Sequence, residues 1–207
     1  TATGASSLAS GVQAVAVGYV STAAGDAATA VGSDSTASGS VAAALGFRAD
    51  ASGDFSTAVG GLAEATAFNA TAVGSAAVAS GSGSLALGGD ALASGARSVA
   101  LGAGSQALEA DVVSVGAGGG NRGPATRRIV NVADGRLTAE SSDAVTGSQL
   151  HRTNQRVGAV ETKVNDIDSR IGGIQTTQAN TLAYDDAQHG RITFNGEQGT
   201  VMDNVAA

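Results

Sequence analysis

The stretch Ser84–Gly102 reads SLALGGDALASGARSVALG, in which SLALG is followed fourteen residues later by SVALG. The same period runs through the first 116 residues without an insertion or a deletion. It is marked by the glycines Gly4, Gly18, Gly32, Gly46, Gly60, Gly74, Gly88, Gly102 and Gly116. An unbroken period of this kind is typical of a solenoid, in which each coil buries its apolar face against its neighbours. Function should then depend on shape and surface rather than on a pocket.

Each fourteen-residue unit predicts two short strands joined by two tight turns. The three residues before each glycine follow the pattern of Val15, Ala16 and Val17, with a small residue between two strand formers. Side chains two residues apart share one face of a strand, so branched residues would pack on one face and alanine on the other. A second alanine column lies five residues after each glycine. The second glycine of the unit is replaced by Ala67 and Glu109, where we expect a looser turn.

The composition of the repeat predicts that one chain is not the folding unit. Short parallel strands stacked at about 4.8 Å per coil would make a rod of roughly 40 Å. Alanine and serine bury little apolar area, at ~25 cal/mol per Å², while each ordered residue loses backbone entropy worth ~1 to 2 kcal/mol. We therefore expect several copies to share one interior.

The repeat stops after Gly116, where a glycine-rich run leads to the single proline, Pro124. The arginines and valines of residues 127–132 predict a short extended piece, and Ser142 or Asp143 could cap a helix that begins near Ala144. The expected domains are a β-roll head at 1–120, a neck at 121–149, a coiled-coil stalk at 150–181 and a β connector at 182–207 that leads to a further module.

A heptad pattern without interruption begins at Leu150. Its a positions are Leu150, Val157, Val164 and Ile171, and its d positions are Thr153, Val160, Ile167 and Ile174. This 3,4 spacing predicts a parallel coiled coil, and isoleucine at both a and d favours more than two strands, for which a trimer is the preferred count. Thr153 and Gln178 would face the axis, where they could fix the register or hold water or an anion. The stalk should end near Leu182, and Tyr184 should begin a turn.

The charge and the cysteine content exclude several classes of function. A net charge of −7 argues against nucleic acid as a partner, and we expect the one basic group, Arg122, Arg127 and Arg128, to brace the junction after the repeat. The absence of cysteine excludes disulfides and fits a secreted bacterial chain. No stretch is long and apolar enough to span a bilayer, so we expect any membrane anchor to lie outside these residues.

No arrangement of residues predicts catalysis, and we expect neither an enzyme nor a cofactor or metal site. The two histidines, His151 and His189, have no spacing to carboxylates that indicates a metal site. Asp185 and Asp186 lack the alternating carboxylates of a calcium loop and fit a turn better. The many Gly-x-Gly strings belong to the repeat and carry no phosphate-loop meaning.

Three motifs in order resemble the trimeric autotransporter adhesins of the YadA type. The unit Ser98–Gly102, followed by Ser105 and Ala107, resembles the head repeat of that family. The segment from Asp143 to Leu150 looks like its neck signature, which includes Asp143, Ala144, Val145, Gln149 and Leu150, with Thr146 where asparagine is usual. Tyr184, Asp185 and Asp186 look like its connector. The match extends over nearly the whole chain.

The resemblance implies a left-handed parallel β-roll in each chain, three rolls around one axis, and a neck that feeds a parallel trimeric coiled coil. It further implies display on the Gram-negative outer membrane, exposed to the exterior, with a role in virulence. The expected partners are two further copies of the chain and a host matrix protein or cell-surface receptor. Ligand-binding residues do not follow from it. The variable turns are the first place to look, at Tyr19, Asp26, Asp34, Phe47, Asp54, Phe55, Phe68 and Arg97.

Two readings of the function stay open from the sequence. The first is an adhesive head that binds through many identical turns, so that weak contacts multiply. The second is a passive spacer within a longer surface fibre. An ice-binding solenoid is disfavoured because the strands mix valine, threonine and leucine, and a hexapeptide acyltransferase is disfavoured because fourteen is not a multiple of six.

Overall fold

The computed structural model describes residues 1–119, 123–181, 183–185 and 191–193, and side chains up to residue 174 of these. The chain divides into two units, Thr1–Ile129 and Val130–Ala207. Each unit is described below by itself.

Within its described part, the first unit consists of short strands that alternate between two sheets. In chain order they are β1 Ala2–Thr3, β2 Leu8–Ala9, β3 Val15–Val17, β4 Thr22–Ala23, β5 Thr29–Val31, β6 Thr36–Ala37, β7 Ala43–Leu45, β8 Asp50–Ala51, β9 Thr57–Val59, β10 Glu64–Ala65, β11 Thr71–Val73, β12 Val78–Ala79, β13 Leu85–Leu87, β14 Leu92–Ala93, β15 Val99–Leu101, β16 Gln106–Ala107 and β17 Val113–Ser114. The odd-numbered strands form a nine-stranded sheet, called sheet A here, and the even-numbered strands form the eight-stranded sheet B.

Every strand of sheets A and B pairs in parallel with the strand fourteen residues away along the chain. Ala16 pairs with Ala30 in sheet A, and Ala23 pairs with Ala37 in sheet B. The predicted parallel β-solenoid is therefore confirmed. We number its coils 1 to 8, each beginning at one glycine of the series from Gly4 to Gly102.

The space between the two sheets is filled by alanine and serine. The middle alanine of each full sheet A strand and the second alanine column of sheet B are buried, and the largest fully buried side chains are serines. Nothing larger fits, because side chains from two facing sheets meet in the middle of a coil only fourteen residues round. The expectation that branched residues pack on one face holds for neither sheet within a single chain. The branched side chains of sheet A point outward instead.

Each coil has two turns, at opposite edges of the sheets. Turn 1 has its tip at the first and second residues after the coil's glycine, and turn 2 at the eighth and ninth. The second tip residue adopts a left-handed backbone conformation even where it is not glycine, as at Arg48 (φ 53°) and Phe55 (φ 58°). This conformation lets the N–H of the second tip residue donate to a carbonyl of the preceding coil. The Phe55 N–H, for example, donates to the Ser40 carbonyl at 2.8 Å. This ladder offsets a conformation that costs about 1 to 2 kcal/mol per residue.

The two glycine columns exist for different reasons. Gly46, in the first column, has φ 140° and also lies where a methyl group would collide with the Gly60 backbone. Gly53, in the second column, has no positive φ, and there the approach of the Ala67 carbonyl excludes a side chain. Gly116 does not share the positive φ of the other eight repeat glycines, because no further coil follows it.

The expected looser turns at Ala67 and Glu109 stay a prediction: the Ala67 turn has one hydrogen bond fewer than its neighbours but the same backbone conformation, with Asn69 at φ 54°. In coils 4 and 6 the glycine N–H at this position, Gly53 or Gly81, donates to an alanine carbonyl of the next coil. The Ala67 N–H makes no such bond to the described residues.

In the second unit, helix α1 spans Gly147–Thr181. The helix was predicted to start near Ala144, with Ser142 or Asp143 as its cap, and this is wrong by about one turn. Residues 127–132 form no strand, and Asn131 adopts φ 61°, which interrupts an extended chain.

Beyond the helix, β18 (Ala183–Asp185) pairs antiparallel with β19 (Arg191–Thr193). Tyr184 and Asp185 thus lie in a strand rather than in the predicted turn. The predictions for Leu182, Asp186, His189 and the last fourteen residues fall outside the described part of the chain.

Candidate functional site

The outer face of sheet A is an exposed apolar surface. Most of its strands present a strand former at both outward positions, such as Val15 and Val17 in β3, whereas β7 has Ala43 at the first of them. The residue just before each coil glycine is the more open of the two, and several are between 37% and 43% exposed. These are Val17, Val31, Leu45, Leu87 and Leu101. A continuous apolar face of this kind marks a surface that is covered in the working assembly.

The outer face of sheet B is more polar. Its outward residues include Thr22, Thr36, Asp50 and Glu64, and the last two pair side by side in the sheet register. The two faces therefore differ in what they can contact, and the apolar one is sheet A.

All the aromatic side chains of the head lie on the turns. Tyr19 and Phe47 are on turn 1, Phe55 and Phe68 are on turn 2, and each is more than half exposed. The Phe55 and Phe68 rings meet edge to face with their centroids 5.7 Å apart. The alanine interior has no room for an aromatic ring, so these side chains can only serve contacts outside the roll. The predicted variable turn residues, including Asp26, Asp34, Asp54 and Arg97, all lie on these edges and are exposed.

Charged residues on turn 2 extend the backbone ladder. The carboxylate of Asp26 accepts the Val12 N–H at 2.8 Å, and that of Asp54 accepts the Ser40 N–H at 2.9 Å. Arg97 forms a two-bond ion pair with Asp111 of the next coil. The bond from Arg97 lowers the pKa of the Asp111 carboxyl. These contacts tie successive coils together along one edge.

Arg127 closes the C-terminal end of the solenoid. In the coils, the N–H of the second tip residue of turn 1 donates to the carbonyl fifteen residues earlier in the chain. The Gly104 N–H, for example, donates to the Gly89 carbonyl. A ninth coil would place the N–H of Gly118 on the Ala103 carbonyl, but Gly118 bonds to Ala125 instead.

The Arg127 guanidinium takes the place of that missing coil. It donates to the Ala103 carbonyl at 2.6 Å, to the Ser105 hydroxyl at 2.9 Å and to the Val115 carbonyl. This supports the predicted bracing role for Arg127. Arg128 is exposed, and Arg122 lies outside the described residues.

The neck is organised by Gln149, which is only 6% exposed. Its side-chain oxygen accepts the N–H groups of Gly135 and Thr146, and its amide donates to the Gly135 carbonyl at 2.7 Å. The Thr146 hydroxyl in turn accepts the Gln149 N–H at 3.4 Å, which makes the pair a capping box. This is why the helix begins at Gly147 rather than near Ala144. The Thr-x-x-Gln pattern was present in the sequence and could have placed the helix start.

Two carboxylates of the neck have lowered pKa values. The pKa of Asp134 falls because the Thr146 hydroxyl and the Arg152 guanidinium donate to its carboxylate, at 2.7 and 2.9 Å. The pKa of Asp143 falls because the Arg136 side chain and N–H both donate to it at 3.0 Å. Sequence reasoning included Asp143 in the neck but missed Asp134. No local spacing connects Asp134 to Arg152, eighteen residues away.

The predicted coiled-coil core residues share one exposed stripe of α1. Leu150, Val157, Val160, Val164, Ile167, Ile171 and Ile174 are each between 48% and 59% exposed. Thr153 completes the stripe, and its hydroxyl donates to the Gln149 carbonyl at 3.3 Å, so its polar group is already satisfied within the helix. An apolar stripe with a 3,4 spacing needs partner helices to cover it.

No described helix has a stretch apolar enough to span a bilayer. In the described part of the chain, no three metal-binding side chains lie together.

Models of known protein families match both the solenoid and the helical part of this chain. The family model of the YadA head domain repeat matches six overlapping or adjacent segments of the first unit. They are residues 1–21, 9–35, 23–49, 37–63, 65–91 and 93–118. The family model described as the coiled stalk of trimeric autotransporter adhesin matches residues 128–172.

Two similar proteins support the family matches. The autotransporter adhesin BadA of Bartonella henselae is 36% identical over an alignment of 86 residues, and the match covers 38% of this chain and 3% of BadA. The chain thus spans a small fraction of that relative. The crystal structure of the collagen-binding domain of the Yersinia adhesin YadA superposes with a TM-score of 0.59 at 29% identity. The match covers 73% of this chain and 84% of that domain.

The fourteen-residue solenoid, the neck and the heptad helix occur in the order of the two family models, and the head matches cover more than half of the sequence. The chain therefore belongs to the trimeric autotransporter adhesins.

Proposed function

We propose that this chain is the head and upper stalk of a bacterial surface adhesin, that it assembles as a homotrimer, and that it binds host extracellular matrix or cell surfaces. The observation that carries the proposal is the match of the solenoid to adhesin heads, one of which is a collagen-binding domain. Family membership also favours display on the Gram-negative outer membrane.

Two exposed apolar surfaces support the homotrimer. Sheet A presents branched side chains along all its length, and α1 presents its heptad stripe. Each surface would be covered if three copies of its own unit lay parallel around a threefold axis. Isoleucine at a and d positions, as in Ile167 and Ile171, favours three strands over two.

With sheet A at the axis, sheet B and the exposed parts of the turns remain for a ligand. Eight coils in each of three chains then present similar surfaces many times. A fibrous ligand such as a matrix protein is itself repetitive, so weak contacts add through effective concentration. No deep pocket is needed for this kind of binding.

Binding of the purified chain to immobilised collagen, fibronectin and cultured cells tests the adhesive function. We expect saturable binding to at least one of these and none to immobilised serum albumin. The heat-unfolded chain is the matched control, because it has the same composition without the repeated surface. An absence of saturable binding to every matrix component and cell type would refute the adhesive function.

A passive spacer is the second candidate, favoured by the uniformity of the coils. Removing whole coils from the displayed parent protein separates the two. If shortened rods at equal surface density adhere as well as the intact protein, the segment is a spacer. If adhesion falls with each coil removed, the coils themselves bind.

A further inference from the structure

The two turn edges of the head carry side chains that match one another, and we infer that these edges meet between neighbouring protomers. Specifically, Phe47 and Arg48 of one protomer pack against Asp54 and Phe55 of the next. The inference deepens the proposed trimer and rests on it. It assigns part of the variable turn surface to assembly rather than to ligand binding.

Threefold symmetry decides which edges are neighbours. If sheet A of each protomer faces the axis, its two sides are the turn 1 edge and the turn 2 edge. A cyclic arrangement is head-to-tail, so the turn 1 edge of each protomer adjoins the turn 2 edge of the next. The operation is a rotation without translation, so turn 1 of each coil meets a turn 2 at the same height along the axis. The charges on the two edges then support the pairing of coils of the same number.

Coil 4 carries complementary groups on both edges. Phe47 is 55% exposed at turn 1 and Phe55 is 52% exposed at turn 2. Beside them stand Arg48 and Asp54, which are also exposed. Arg48 makes no ion pair or hydrogen bond through its side chain to the described residues of its own chain. Phe55 already meets Phe68 of its own chain, so a second protomer would add Phe47 to this aromatic cluster and give Arg48 an ion pair with Asp54.

One other coil carries opposite charges on its two edges. Coil 7 has Asp90 on turn 1 and Arg97 on turn 2, and Arg97 also pairs with Asp111 of its own chain. In coil 5 the exposed apolar side chains are Leu62 on turn 1 and Phe68 on turn 2, where the uncharged Asn69 follows. Coils 4 and 7 are the two with a charge on both edges, and no coil opposes two like charges. Electrostatic complementarity of this kind fixes which surfaces pair and in which register.

The exposure of Phe55 gives a further reason to expect a partner. Its aromatic ring stays half exposed even though it contacts Phe68 of the same chain. Burial against a second protomer offsets the exposure of the ring. A ligand contact is the competing explanation for these side chains, and the experiment distinguishes the two.

A charge-reversal cycle on the whole chain tests the contact. Arg48→Asp and Asp54→Arg each place like charges opposite each other, and we expect each to lower the unfolding midpoint of the strand signal in circular dichroism by about 3 °C. The double variant restores an ion pair with reversed polarity and should recover at least half of the combined loss.

Two further variants are matched controls. Asp34→Arg reverses a charge at the same turn 1 position as Arg48, in coil 3, where the opposite edge is uncharged. Asp26→Arg controls for the loss of a hydrogen bond to the preceding coil. The Asp26 carboxylate accepts the Val12 N–H, just as the Asp54 carboxylate accepts the Ser40 N–H, so both variants remove an equivalent bond. Adding Asp34→Arg to Asp26→Arg should give no recovery.

The mass of the wild-type chain in light scattering separates the inference from the proposal on which it rests. A particle at the 19.7 kDa chain mass would refute the trimer and the edge contact together. A particle of three chains, in which Arg48→Asp and Asp54→Arg act additively, would refute the edge contact alone and return these turns to the ligand surface. A particle of three chains with recovery in the double variant supports the contact.

Discussion

The fully buried side chains of the head are no larger than serine, and this sets what each residue can contribute. The column four residues before each coil glycine is alanine at Ala14, Ala28, Ala42 and Ala70, and serine in other coils. The Ser98 hydroxyl donates to the Gly95 carbonyl at 2.7 Å. A serine in this column is therefore tolerated where its hydroxyl finds an acceptor.

Replacing the serines that lack an acceptor should stabilise the head. The hydroxyl oxygens of Ser56 and Ser84 are buried and have no hydrogen-bond partner among the described residues. A buried unsatisfied polar group costs about 1 to 3 kcal/mol, and alanine already fills this column elsewhere. We expect Ser56→Ala and Ser84→Ala each to raise the free energy of unfolding by about 1 kcal/mol in denaturant titrations.

Ser98→Ala is the control for this prediction, because it removes a satisfied hydroxyl from the same column and should lower stability or leave it unchanged. If all three alanine variants were equally stabilising, the hydrogen-bond argument would be wrong and alanine would simply suit the column better.

Among the elements, the solenoid is the one whose end needs protection. A stack of parallel strands ends in unpaired carbonyls, and exposed strand edges invite further pairing. Arg127 supplies donors to Ala103, Ser105 and Val115 at this end. The flat guanidinium can reach several acceptors at once, which a lysine ammonium does less well.

Removing Arg127 should loosen the last coil. We expect Arg127→Ala to lower the free energy of opening of coil 8 by about 2 kcal/mol, because its charged hydrogen bonds are each worth about 1.5 to 3 kcal/mol. Hydrogen exchange of the amides in residues 102–115 measures this directly. Arg127→Lys should recover only part of the loss, and Arg128→Ala should leave exchange unchanged. Equal exchange in the Arg127 and Arg128 variants would show that the end is closed by backbone contacts alone.

The neck should be the acid-sensitive element. Asp134 and Asp143 have lowered pKa values when folded, so the stability they provide is present above the ordinary carboxyl pKa of about 4. It is lost as the pH falls through the lower, folded pKa. We therefore expect the helix signal in circular dichroism to melt at a lower temperature at pH 3 than at pH 7.

Asp134→Asn should weaken that pH dependence and lower the melting temperature at neutral pH. Asp166→Asn, which removes an exposed carboxylate of α1, is the control and should keep the wild-type pH dependence. A wild-type pH dependence in the Asp134 variant would mean that carboxylates elsewhere in the chain cause the acid response.

For the whole molecule, the fourteen-residue period is the constraint that holds every coil in register. Removing residues 74–87 brings Val73 next to Gly88 and leaves all columns aligned. β11 would then stack directly on β15, whose sequence pattern matches that of β13. The head should keep its strand signal and its cooperative unfolding, with a rod shorter by about 4.8 Å.

Removing one residue fewer should have a much larger effect. Deletion of residues 74–86 leaves Leu87 after Val73 and shifts all later side chains by one position, which turns the alanine columns outward. We expect loss of cooperative unfolding in a thermal melt. If this variant unfolded as cooperatively as the fourteen-residue deletion, the register of the columns would not be what holds the coils together.

The sequence by itself determined the period, the positions of the strands, the solenoid and the stripe of the stalk helix. These follow from local spacing, since a column that repeats every fourteen residues can align only if each coil has the same length. The family could also be identified from the repeat and the neck motif. The turn glycines were predictable for the same reason, although the two columns differ in whether φ or close approach requires them.

Only the tertiary structure decided which face of the coil is its interior, and that it is alanine rather than the branched residues. Both faces of each strand repeat every fourteen residues, so the sequence period does not distinguish the inner face from the outer one. Which face lies inside depends on how closely the two sheets can approach each other. The acceptors of Arg127, the partners of Asp134 and the bonds from Gln149 to Gly135 were also decided there, because these contacts join residues twelve or more positions apart. Such contacts depend on where the chain folds back, and no local pattern encodes that distance.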